Sequence, residues 1–70
     1  MSGESETKLE MVQRHVREGL RRLERQRTLI SDLTRDGNRG LVPAAQRILA
    51  AMEQYQAEVE QHLEKLLREQ

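Results

Sequence analysis

Seventy residues carry 12 basic and 12 acidic side chains, so the formal net charge is zero, and cysteine, tryptophan and phenylalanine are absent. A chain of this size makes at most one domain, whose core supplies only about 3–5 kcal/mol unless a staple or an oligomer adds to it. Neither a disulfide nor a thiolate zinc site can be that staple, balanced charge sets up no field for nucleic acid or anionic lipid, and the single aromatic, Tyr55, offers no platform for stacked bases.

The start, Met1-Ser2-Gly3-Glu4-Ser5-Glu6, is polar and acidic with nothing to bury, which predicts a disordered tail over residues 1–6. It has neither the basic nor the apolar region of a secretory signal, and no apolar run approaches the length of a membrane span. The expectation is a cytoplasmic protein that does not enter a membrane. Thr7-Lys8-Leu9-Glu10 reads as a capping box, in which hydroxyl and carboxylate each accept the other residue's amide.

A first helix is predicted from about residue 8 to 36. Its seam is Leu9, Val12, Val16, Gly19, Leu23, Gln26, Ile30 and Leu33, alternating steps of three and four. Asp36-Gly37-Asn38-Arg39-Gly40 interrupts this pattern, with Gly37 able to take the left-handed conformation that ends a helix. The turn is placed over residues 37–40. A second helix is predicted over about 41–69, capped by Gly40, because Pro43 donates no backbone hydrogen bond and fits only a first turn. Its predicted seam is Ala45, Ile48, Met52, Tyr55, Val59, His62 and Leu66.

Two helices of near-equal length joined by a short polar turn are antiparallel neighbours. The fold class is therefore all-α, an antiparallel two-helix hairpin over residues 7–70 about 40–45 Å long. Counting outward from the turn sets Ile30 level with Ile48, Leu23 with Tyr55, Gly19 with Val59 and Val16 with His62. Leu20 and Leu29 flank the first seam, and Leu49 and Leu63 flank the second. Such stripes are wider than a two-helix contact requires, which is the pattern of a four-helix bundle. A homodimer, or docking on another helical protein, is the expected closure. Leu20, Leu23, Ile30, Leu49, Met52, Val59, Leu63 and Leu66 are the candidate interface.

Arg14, Arg17, Arg21 and Arg25 follow helical spacing on the outward face and could track phosphates, the basis of a rival reading as a nucleic-acid-associated regulator. Glu10, Glu18 and Glu24 interleave them, and Glu10–Arg14 and Glu18–Arg22 are favourably ordered pairs, which predicts a solvated face instead. His15 and His62, each one turn from a glutamate, are the candidates for a metal- or pH-responsive reading. The Glu-x-x-His pattern of diiron bundles is absent, so no metal or other cofactor is expected. No nucleophile, base and orienting group converge, so no enzyme is expected either. Gly19 predicts a close approach of the opposite helix, and Gln26 a polar residue that sets register.

Through Arg14-His15-Val16-x-Glu18-Gly19, then Arg22, Gln26, Leu29-Ile30, Leu33, Gly37, Leu49 and His62, the chain resembles a group of short bacterial proteins of unknown function. In that group a histidine-containing first helix, a glycine-centred turn and a leucine-rich second helix recur. The resemblance implies a hairpin fold and no catalytic residues. The group tends to place Asp or Thr before the second helix, where this chain has Arg39-Gly40.

Overall fold

The structure is a computed structural model that describes residues 6–70. Two α-helices, α1 (Lys8–Arg35) and α2 (Val42–Arg68), pack against each other, joined through a 3-10 turn at Arg39–Leu41. Among the described residues the fold is all-helical, a hairpin 49 Å in its longest dimension. Its radius of gyration, 15.9 Å, exceeds the roughly 11 Å of a globule of this length. The tail expected over residues 1–6 lies outside the described residues except for Glu6.

The capping box forms as its residues dictate. The Thr7 amide donates to Glu10 Oε1 at 2.9 Å and the Glu10 amide to Thr7 Oγ1 at 3.1 Å, satisfying two donors that a helix start otherwise leaves open. At the other end Asp36 is the C-cap and Gly37 has φ +85°. The Asn38 amide donates to Leu33 O at 2.9 Å and the Gly37 amide to Thr34 O at 3.5 Å, the paired bonds of a Schellman stop. The second helix opens slightly later than expected. Residues 39–41 tighten into the 3-10 turn, the Leu41 amide donating to Asn38 O at 3.1 Å, and Leu41 rather than Gly40 precedes α2. Pro43 sits in the first turn, and no side chain caps this start.

All eight predicted seam residues of α1 are buried or half-buried. The seam of α2 differs from the expected one. Ala45, Met52, Val59 and Leu66 face α1, but the residues between them are Leu49, Gln56 and Leu63, whereas Ile48, Tyr55 and His62 are exposed. The two rows share every seventh residue and part only in stepping four or three from it. Each offers two large apolar residues and one polar one, so periodicity alone cannot separate them. The step of four wins because it sets Gln56 against Gly19.

That contact also corrects the register, since Gly19 meets Gln56 and not Val59. A Cβ built on Gly19 would lie 1.8 Å from Gln56 Oε1. Gln56 is only 5% exposed, and its Nε2 donates to Val16 O and to Glu60 Oε2, each at 3.0 Å. Nearer the turn Gln26 does the reverse, its Nε2 donating to Ala45 O at 2.9 Å. Each glutamine thus bonds the backbone of the other helix. The core between the helices is thin: among the described residues Val12, Leu23 and Ala45 are the buried hydrophobic ones, and no side chain is completely enclosed.

Candidate interaction surface

The hairpin has two broad faces, and they differ. On one, Arg27 Nη2 reaches Glu53 Oε2 at 3.2 Å across the helix gap. Seven-residue spacing puts Gln13, Leu20 and Thr34 of α1 beside Arg27, and Gln46, Glu53, Glu60 and Leu67 of α2 in line. Apart from Leu20 and Leu67 that face is polar. On the other, Gly19, Arg22, Ile48, Ala51, Met52, Tyr55 and Gln56 line an open groove of about 310 Å³ whose walls are mostly apolar. The same spacing adds Leu29 to Arg22, and runs Ile48, Tyr55 and His62 along α2, with Leu41 just before its start.

Leu41, Ile48 and Tyr55 are 59%, 54% and 61% exposed, and Leu29 is also exposed. Ala44 and Ala51 fill the outer positions between them. Scattered surface leucines are ordinary; here the exposed apolar residues line up on one side of the hairpin.

The candidate interface residues are distributed differently. Leu23 is buried between the helices. Ile30, Leu49, Met52, Val59, Leu63 and Leu66 are half-buried along the seam, with Met52 also in the groove wall. Leu20 is exposed on the polar face. The strip itself consists mainly of residues that sequence reasoning put inside the hairpin, Ile48 and Tyr55, or left unassigned, Leu41 and Ala51. The available signal is a second three-and-four alternation running into α2: Leu41, Ala44, Ile48, Ala51, Tyr55.

Of the four candidate phosphate contacts, Arg14 is engaged. Its Nε and Nη2 donate to the two Glu6 carboxylate oxygens at 3.1 Å each, and its Nη1 to Glu18 Oε2 at 3.5 Å. These bonds hold the Glu6 carboxyl below its ordinary 4.5 and raise the Arg14 guanidinium. The expected Glu10–Arg14 pair is replaced, because Glu10 is occupied in the capping box; Glu18 and Arg22 do approach, at 3.9 Å. Arg17, Arg21 and Arg25 are exposed and pair with no carboxylate among the described residues. His15 and His62 are exposed toward the open end, on the side of the apolar strip. No group of three His, Cys, Asp or Glu suited to a metal ion occurs among the described residues. No helix among them is long and apolar enough to cross a membrane.

Comparison with protein-family models, with curated proteins and with solved structures found no match. The functional reading therefore rests on the surface itself.

Proposed function

We propose that this protein is a non-enzymatic self-association module, two hairpins joining through the Leu29–Leu41–Ile48–Ala51–Tyr55 strip to make a four-helix bundle. The observation that carries this reading is the aligned exposure of Leu41, Ile48 and Tyr55 beside an apolar groove. Burying such side chains contributes about 1.5–3 kcal/mol each when complete, comparable with all that a core of this size supplies.

In this reading each hairpin covers the strip of the other. Sedimentation equilibrium from 1 to 100 μM (concentrations chosen to span about 10⁻⁶ to 10⁻⁴ M dissociation constants) tests it, with a dimer mass expected. Tyr55→Glu should shift the mass to the monomer while helicity is kept. A wild-type monomer throughout the range overturns the reading and leaves the strip to another helical protein.

One observation favours a second reading, association with nucleic acid: Arg17, Arg21 and Arg25 are not taken up by the glutamates of α2. A backbone-tracking stripe binds with steep salt dependence. Titration of a labelled duplex at low salt tests it, and absence of binding at tens of micromolar (roughly the affinity expected of non-specific contacts) excludes it.

A further inference from the structure

We infer that α2 packs antiparallel against α2 of the second copy, with Ala44 and Ala51 of each receiving Tyr55 and Ile48 of the other. The inference rests on the self-association reading and adds the contact helix, its direction and its register.

Three features of the surface converge on it. The second alternation runs from Leu41, at the start of α2, through Ala44, Ile48, Ala51 and Tyr55, the residues reached by steps of three being small and those reached by steps of four large. In α1 the positions facing the same way are Met11, His15, Glu18, Arg22, Arg25 and Leu29, mostly charged or polar. That flank belongs at a rim and α2 at the centre, because interface cores are depleted of charge.

The order of large and small residues then selects direction. A twofold axis between Leu49 and Ala50 sets Ile48 level with Ala51 of the second copy and Ala44 level with Tyr55 of the second copy. Every central layer then holds one large and one small side chain, and the alanines admit a close backbone approach. A parallel pairing sets Ile48 on Ile48, Tyr55 on Tyr55 and alanine on alanine, alternating crowded layers with voids. Interiors tolerate neither well. Self-complementarity of this kind is what an isologous contact requires, and it identifies a second copy of this chain as the occupant.

The sharpest test uses a substitution that adds hydrophobic surface. Ala51 is exposed in the hairpin, and leucine is also a good helix former, so Ala51→Leu leaves each hairpin intact. If Ala51 receives Ile48 of the second copy, the added side chain overfills that layer and weakens the dimer at least about tenfold, as overpacking does. If the strip associates only as undifferentiated apolar surface, the same change tightens it. Since the chain has no cysteine, Gln70→Cys accepts a single spin label. With the axis between Leu49 and Ala50, the labels of an antiparallel dimer lie about 60 Å apart at 1.5 Å per residue, and those of a parallel dimer well under half that, with helix axes about 8–10 Å apart.

A dimer that Ala51→Leu weakens and whose labels are far apart supports the inference. A dimer with close labels, or one that Ala51→Leu leaves unchanged or tightens, overturns the antiparallel α2 contact and keeps the self-association reading. A wild-type monomer overturns both.

Discussion

Gly19 shows how one residue can decide a register. In a helix interior glycine costs about 1 kcal/mol relative to alanine, yet here a Cβ would collide with the buried Gln56 amide. Gly19→Ala therefore gains helix propensity but displaces Gln56 from Val16 O, and a broken buried hydrogen bond costs about 1–3 kcal/mol. The expected result is a net loss of about 1 kcal/mol in chemical denaturation. In a Gln56→Ala background the collision is gone, so the same Gly19→Ala should stabilise; a loss of equal size in both backgrounds would assign glycine some other role. Glu6 is a second test at this scale. The Arg14 guanidinium lowers its folded pKa, so the contact contributes stability above the unfolded value and loses it as pH falls through the folded one. Carboxyl titration by NMR should find the Glu6 midpoint below 4.5 and moved back toward it in Arg14→Gln. A midpoint unaffected by that change would mean the pair does not form in solution.

At the scale of elements, helix ends were largely legible and helix faces were not. Thr7 with Glu10 and Gly37 after Thr34-Arg35-Asp36 announce a start and a stop because caps depend on a few neighbouring residues. Pro43 confined the second start to within a turn, although neither Gly40 nor Leu41 has a capping side chain to fix it further. The seam of α2 departs from the expected one for a physical reason: α2 has two apolar rows, and sequence periodicity does not say which is buried by α1. The discriminating partner, Gly19 opposite Gln56, is a contact between residues 37 apart in the chain. The same ambiguity hides the apolar strip, since the expected seam places Ile48 and Tyr55 in the interior. Gly37 gives the element-scale prediction. Its φ of +85° strains any L side chain, while no atom crowds the position, so Gly37→Ala should cost about 1 kcal/mol through backbone conformation alone. Gly40→Ala, in open space and without positive φ, is the matched control and should cost little.

For the whole molecule, the thin core makes stability and association one question. Val12, Leu23 and Ala45 are the hydrophobic residues buried by hairpin pairing, and the exposed interhelix pair Arg27–Glu53 adds less than about 1 kcal/mol. If folding is completed by a second copy, mass action requires the melting temperature to rise with protein concentration. A tenfold increase adds about 1.4 kcal/mol per dimer, which for two chains of this length raises Tm by roughly 5 °C. Circular dichroism melts at several concentrations read this directly. Tyr55→Glu should lower Tm and abolish its dependence on concentration, because it removes the strip and leaves both glutamine bonds and the Val12–Leu23–Ala45 core in place. A wild-type Tm independent of concentration would show that the two glutamines and this small core hold the hairpin unaided, and that the apolar strip is free to meet a different protein.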